Sequence, residues 1–345
     1  MRHALFLALI ALAAVAVVAG CSRKTPPSSG TTPKFGGGVP KDLRFDIPSA
    51  ESGSAVTKAS KAYRVALIMK AASNPFFATM QKGAEKAASE LGIELLAQTI
   101  TDESSDQQQM DIVDSMVSQK VDAILIAPAN SKSLVEPLLA AQKAGIAVIN
   151  VDNRLDPDTV KTAGLNLVAY VGADNEEGGR LAGEHLCKLL GGKGSVAMLE
   201  GRRGVDNAEA RKRGFLKACE AHRDIKVVAS DSADWDIAKG QNKFAAMMSA
   251  HPEIQGLFCA NDNMAVGAIA AIKEKGKAGS IIVVGYDNIE AAQTAVKEGT
   301  LAGTIEQHPD LMGFEAVKTA VAHLEGEQVR SETMVPLEVI TKDKL

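Results

Sequence analysis

The sequence predicts an α/β fold in which parallel sheets are covered by helices and the chain divides into two similar lobes. Three observations predict it. Residues 65–69, Val-Ala-Leu-Ile-Met, form an uninterrupted apolar run, the pattern of a strand buried on both faces of a parallel sheet. Runs of this kind alternate with segments of helical spacing, and strand–helix alternation implies a parallel sheet with right-handed crossovers. After an irregular stretch the alternation starts again, so the second half-chain repeats the plan of the first.

Taken in order, the strand at 65–69 ends in Lys70, Ser73 and Asn74, and Pro75 suits the first turn of a helix because its missing N–H has no partner there. The helix at 76–91 stops at Gly92, where a left-handed C-cap is wanted. A strand at 93–97 and a helix at 105–119 follow, with Met110, Val113 and Val117 on one face. Next come a strand at 121–127, a helix at 131–144 ending at Gly145, and a strand at 146–151. Residues 152–166 are irregular, and 170–173 is a short strand. The second series has strands at 195–199, 226–229, 256–259 and 281–284 and helices at 175–190, 206–221, 236–250, 264–275 and 289–298. A strand at 301–305, a helix at 309–324 and one final strand at 335–340 complete the chain.

The N-terminus has a different character. Met1-Arg2-His3 leads into an apolar run at 5–19, short for a membrane span of about 20 residues but suited to the core of an export signal. The run closes on Val18-Ala19-Gly20-Cys21, which resembles the lipobox of bacterial lipoproteins. That resemblance implies a signal peptide at 1–20, cleavage, and lipid on Cys21, with two or more acyl chains sufficing for stable membrane anchoring. Residues 21–61 include T-P-P-S-S-G-T-T-P-K and F-G-G-G-V-P, a composition that cannot bury a core. A flexible tether of about 40 residues spans on the order of 35 Å.

Composition excludes several function classes. The net charge of −4 comes from mixed signs along the chain, leaving no basic face for nucleic acid. Cys187, Cys219 and Cys259 are widely spaced and form no C-x-x-C, so no metal or cofactor is implied. They read as buried small apolar residues, with a single disulfide left open. The motifs of nucleotide-binding enzymes, serine hydrolases and zinc proteases are absent. Gly191-Gly192-Lys193-Gly194-Ser195 precedes a strand where a phosphate loop would follow one, and the histidines are scattered. The chain reads as a binding protein and not an enzyme.

In open α/β sheets, ligands bind in the crevice outside the carboxyl ends of the strands. Here those ends carry Lys70, Asn74, Phe76 and Phe77; Asp152, Asn153 and Arg154; Asp234, Trp235 and Asp236; Asn261, Asp262 and Asn263; Tyr286, Asp287 and Asn288; and Glu306, Gln307 and His308. Arg211 lies on the helix at 206–221, and Trp235 is the only tryptophan. Carboxylates, amides and guanidinium groups pair with neighbouring hydroxyls, while aromatic faces cover C–H surfaces, so this lining suits a polyol. Each polar residue alone also fits helix capping, which is the favoured reading for Asp236 and Asn288.

The segments S-N-P-F-F, V-D-N-R, E-A-R-K-R-G-F, A-D-W-D, C-A-N-D-N-M-A-V-G, V-V-G-Y-D and I-E-Q-H-P-D resemble, in order and spacing, the ribose-type family of periplasmic sugar-binding proteins. The resemblance runs from about residue 63 to the C-terminus and is greatest to the allose-binding branch. It implies a type I periplasmic binding protein fold: two Rossmann-like lobes joined by a three-segment hinge, with a monosaccharide in the cleft and delivery to the membrane subunits of an ABC importer. The sugar contacts it implies are Lys70, Asn74, Phe76, Phe77, Asp152, Arg211, Trp235, Asn261, Asp287 and Gln307. The implied lobes are 62–172 plus 308–335 and 173–307 plus 336–345, in an exported, lipid-anchored monomer.

Lys70 and Trp235 match the allose-like members, whereas Phe77 stands where those have Trp and Asn153-Arg154 replaces an acidic neighbour. A long donor at 70 and a broad ring at 235 favour a hexose such as allose or psicose over ribose. Two other roles share the fold. A sugar-responsive repressor requires a helix-turn-helix and basic residues, which the N-terminus lacks. A sensor presenting sugar to a chemoreceptor or kinase remains the alternative to the importer.

Overall fold

In the computed structural model, residues 56–345 are described; the expected signal peptide, Cys21 and the expected tether as far as residue 55 lie outside the described residues. From Val65 onward the first strand, β1 (Arg64–Ala71), is buried along its whole length. It runs into α1 (Pro75–Leu91), whose N-cap Asn74 accepts from Phe76 N and whose C-cap is Gly92 at φ 76°. Then follow β2 (Glu94–Ile100), α2 (Asp106–Ser118), β3 (Ala123–Ile126), α3 (Val135–Lys143), β4 (Ala147–Val151), α4 (Pro157–Ala163) and β5 (Ala169–Gly172). The second series is α5 (Asn175–Leu189), β6 (Lys193–Glu200), α6 (Asp206–Glu220), β7 (Asp224–Ser232), α7 (Ile237–Ala250), β8 (Ile254–Cys259), α8 (Asp262–Glu274), β9 (Ile282–Val284), α9 (Glu290–Glu298) and β10 (Thr304–Glu306). The last elements are α10 (Pro309–Leu324), β11 (Glu332–Met334), β12 (Glu338–Ile340) and a 3-10 turn at Lys342–Lys344.

Two parallel sheets form the two lobes. The first has six strands in the order β11-β5-β4-β3-β1-β2, and the second has four in the order β7-β6-β8-β9. In the first, Val65 registers with Leu95 on one side and Ala123 on the other. The strand order reverses between β1 and β3 and again between β6 and β8, and a reversal of this kind opens a crevice at the strands' C-terminal ends. Apolar side chains fill both faces of the first sheet. Val65, Leu67 and Met69 pack with α1 and α10, while Ala66 and Ile68 pack with α2 and α3, as the alternation of a strand requires. A third core fills the second lobe around Phe215, Phe244 and Phe258.

The chain passes between the lobes three times: from β5 to α5, from β10 to α10, and from β11 to β12. On the second passage α10 lies against α1 with backbones touching. A Cβ at Gly313 would come within 2.0 Å of Met80 O, and one at Gly83 within 1.8 Å of Asp310 O. Among the described residues no helix is long and apolar enough to cross a membrane.

Four details depart from the expectations. The stretch 152–166 contains α4, capped by Asp156, which accepts from Thr159 N, and closed by Gly164 in the left-handed region. None of its residues is buried, so it lacks the apolar period that marks a helix, although its cap residues are legible. Of the expected strand at 335–340 only 338–340, β12, is a strand; a further strand, β11, precedes it, and Pro336 between them cannot donate to a ladder: β11 lies parallel to β5 and β12 antiparallel to β10. Asp236 does cap α7, accepting from Lys239 N at 2.7 Å, but Asn288 donates to Glu306 Oε2 at 2.7 Å and caps nothing. Finally, residues expected to close the tether are docked: Val56 and Ala59 pack on the first lobe, and Ala59 N donates to Leu91 O at 2.9 Å.

Candidate functional site

The strand ends of the two lobes face each other across one cavity. On the first lobe, Lys70 is the penultimate residue of β1, with its ammonium 3.4 Å from Asp152 Oδ2 just past β4, and both side chains are buried. The turn after β1 places Phe76 and Phe77 edge to face, 5.1 Å apart at 89°. The Lys70 ammonium lies 5.9 Å from the centre of the Phe77 ring. On the second lobe, Arg211 is held by several partners at once. Its Nε donates to Asn175 Oδ1 at 2.8 Å and its Nη1 to Ala260 O at 2.7 Å. Its Nη1 is 3.6 Å from Asp287 Oδ1, and its guanidinium stacks 3.7 Å over the Tyr286 ring and 5.5 Å from that of Trp235. Gln307 Nε2 donates to Asp287 Oδ1 at 2.7 Å. Asn261 caps α8 through Met264 N and reaches Trp235 O with its own amide.

All ten residues that the resemblance implied line this single cavity, which is partly open to solvent and holds about 260 Å³ of space free of protein atoms. Two more line it: Glu103 and Asn207. Both carry a sequence signal. Glu103 follows β2, which extends to Ile100 and so puts a strand end beside the cavity; a strand ending at residue 97 hides that position. Asn207 lies one turn before Arg211 on α6 and so shares its face.

Local backbone is bent to aim these groups. Among described non-glycine residues with φ in the left-handed range, Asp152 (60°), Asp234 (51°), Trp235 (67°), Asp287 (112°), Asn288 (55°) and His308 (48°) all follow strands at the cleft. Such conformations persist only when the surroundings over-determine them, and they cluster at functional sites. Beneath Asp287, the buried Asp262 supplies that bracing, accepting from Tyr286 N at 2.8 Å, Ile289 N at 3.1 Å and Thr304 Oγ1 at 2.8 Å.

Direct bonds tie the lobes together beside the cavity. Arg202, after β6, donates to Asp106 Oδ1 at 2.7 Å, Glu103 O at 3.0 Å and Ala129 O at 3.1 Å. Asn207 N donates to Asn153 Oδ1 and Asp206 N to Ser131 Oγ. Asn153 is therefore a bridge between lobes.

Burial dominates the electrostatics. It pushes the Asp287 carboxyl up to about 7 against the pull of Arg211, with Asp152 raising it further. Burial also raises Glu103, opposed by Lys70. The lining contains no Ser, Cys or His that could act as a nucleophile or proton shuttle, and the described residues hold no cluster suited to a metal ion. What it does contain is unmatched hydrogen-bonding capacity. Asn207 Oδ1 and Gln307 Oε1 are buried acceptors without a protein donor, a state that costs about 1–3 kcal/mol per group unless a donor arrives.

Comparison with known proteins gives a consistent picture. The model of a family described as the periplasmic binding protein domain matches residues 65–328. The chain is 38% identical over 284 residues to the D-ribose/D-allose-binding protein of Pseudomonas aeruginosa, covering 81% of this chain and 88% of that one. It is 34% identical to the D-allose-binding periplasmic protein of Escherichia coli, covering 84% and 92%. Its structure is similar to a periplasmic solute-binding protein of an ABC transporter from Actinobacillus succinogenes with bound D-allose, at a TM-score of 0.77 and 40% identity, covering 82% of this chain and 98% of that one.

The raised Asp287 carboxyl generates a stability prediction. An acid whose folded pKa exceeds its unfolded value favours the neutral form when folded. Its contribution is present below the ordinary value of 3.8 and is lost as pH rises toward about 7. Asp287→Asn removes that titration while keeping an acceptor for Gln307. Melting curves of the ligand-free protein should show the variant gaining several degrees on the wild type between pH 4 and pH 8. A difference moving the other way would show that Arg211 outweighs burial.

Proposed function

The chain belongs to the periplasmic binding protein family, and from that premise we propose that it is the sugar-capturing component of an ABC importer, holding one monosaccharide between its lobes. The carrying observation is the lining itself. Two buried acceptors lack donors, and its four best-buried ionic groups are paired, Lys70 with Asp152 and Arg211 with Asp287. A lining already paired in charge suits a neutral, hydroxyl-rich ligand. Phe76, Phe77 and Trp235 would cover the C–H faces of the ring. Asp152, Asp287 and Glu103 would accept from hydroxyls, Lys70 and Arg211 would donate to them, and Asn74, Asn207, Asn261 and Gln307 would do either.

The names of the relatives support an importer component over a sensor: each describes sugar or solute binding, and the structural relative is an ABC transporter protein. The family consists of binding proteins, so no reaction is assigned. We assign the lobes as 62–172 plus 308–335 and 173–307 plus 336–345, closing over the sugar about the three passages, with the cross-cleft bonds of Arg202 among the contacts that closure makes. The protein acts as a monomer outside the cytoplasm. It is held to the membrane by lipid on Cys21, a reading supported by the apolar run and V-A-G-C motif before the polar tether.

Ligand identity is tested by calorimetry over pentoses and hexoses. A hexose such as allose or psicose should bind about ten- to a hundredfold more tightly than ribose, because a site built for a hydroxyl loses about 1–3 kcal/mol when it is absent. Ribose matching every hexose would refute the hexose preference. At about 100 times its dissociation constant the best sugar should stabilise the fold by ~2.7 kcal/mol, a shift of several degrees. Asp152→Ala and Arg211→Ala should abolish that shift, and undiminished affinity in either would remove that residue from the site.

The anchor is tested separately in the native host. Cys21→Ala should leave the chain unprocessed or release it to the soluble fraction. Unchanged size together with unchanged membrane association would contradict the lipid at this position.

A further inference from the structure

Far from the cleft, the second lobe brings two cysteines together. Helices α5 and α6 run side by side with their backbones in contact. A Cβ at Gly179 would lie 2.1 Å from Arg211 O, and one at Gly183 would lie 2.7 Å from the Ala218 Cβ and 3.2 Å from Phe215 O. Continuing the same register by one turn, from Gly183 to Cys187 on α5 and from Phe215 to Cys219 on α6, sets the two cysteines against each other. Both are buried and in the reduced form. Glycine-mediated contact of this kind supplies the close backbone approach that a disulfide needs.

The surroundings suit thiol chemistry. A surface recess lined by Cys187, Glu184, Lys188 and His222 lies on one side, and a second, lined by Cys219, His222 and Arg223, lies on the other. His222 Nε2 is 3.3 Å from Glu184 Oε2, so the imidazole sits at the junction of the two recesses. The Cys187 thiol is held below its ordinary range, first by the hydrogen bond with Cys219 and then, against burial, by His222. A thiol held low favours the thiolate, the reactive form. Cys259 is buried like the other two, lines neither recess, and is held well above its ordinary range by burial.

We propose that Cys187 and Cys219 form a redox-active thiol pair that closes to a disulfide by exchange with a small-molecule or protein disulfide, the class of oxidant found outside the cytoplasm. The Cys187 thiolate attacks one sulfur of the incoming disulfide and expels one thiolate, leaving a mixed disulfide. Cys219 then attacks the Cys187 sulfur and expels the second thiolate. The protons of the two cysteines pass to the two leaving groups, so two cysteine thiols and one disulfide give one cystine and two thiols. The product staples α5 to α6, the helix that carries Arg211.

The reduced full-length protein is incubated with oxidised glutathione, quenched with acid, alkylated under denaturing conditions and mapped by peptide mass spectrometry. The expected product is a Cys187–Cys219 cross-linked peptide with Cys259 alkylated. Cys219→Ser should stop the reaction at glutathione on Cys187, and reducing the cross-linked protein should lower its melting temperature by a few degrees. Both cysteines remaining alkylatable, or glutathione persisting on the wild-type Cys187 without closure, would overturn the proposal. So would a cross-link involving Cys259.

Discussion

Two pairs of opposite charges lie out of water at the centre of this molecule, and the rest of the structure is arranged to hold them. Lys70 faces Asp152 at 3.4 Å in one lobe and Arg211 faces Asp287 at 3.6 Å in the other. Removing charges from water costs several kcal/mol per ion, recovered only when further hydrogen bonds saturate them. Arg211 accordingly has Asn175, the Ala260 carbonyl and two aromatic faces around it, and Asp287 has Gln307. Even so, Asp287 is pushed toward neutrality. The site is held in position by contacts outside the cavity while some of its hydrogen-bonding capacity within remains unmatched.

Chain topology explains why these groups meet. Each lobe is a doubly wound parallel sheet, so its strands end on the same side, and each strand order reverses where a crevice opens. Sequentially distant residues, from Lys70 to Gln307, are thereby delivered to one cavity. The left-handed backbone at Asp152, Trp235 and Asp287 supplies the final turn that points side chains across the cleft instead of along their strands. Asp262 stabilises the bend at Asp287 by accepting from two backbone amides and a hydroxyl.

Much of this is legible in the sequence because buried parallel strands leave continuous apolar runs and caps leave Asn-Pro and Gly at fixed places. The run ending at Lys70, and the succession of polar and aromatic residues after later strands, mark the cavity's lining before any coordinate. Legibility fails where burial is partial. The edge strand β2 is half exposed, so its apolar pattern fades before its true end and Glu103 is missed. Helix α4 has no fully buried residue, its apolar Val160 and Ala163 being only partly covered, and leaves no period. Asn207 is missed for another reason: it stands on a helix face, and a search confined to strand ends passes over it. The pairing of Cys187 with Cys219 depends on helix register, which spacing along the chain does not reveal.

The central claim is that the unmatched acceptors of this cavity exist to receive sugar hydroxyls, and a crystal structure with the best-binding monosaccharide tests it most directly. Hydroxyls should lie within about 3.2 Å of both Asn207 Oδ1 and Gln307 Oε1, with the ring between Phe76 and Trp235. A sugar bound elsewhere, or bound here with both acceptors still unpaired, would contradict the account.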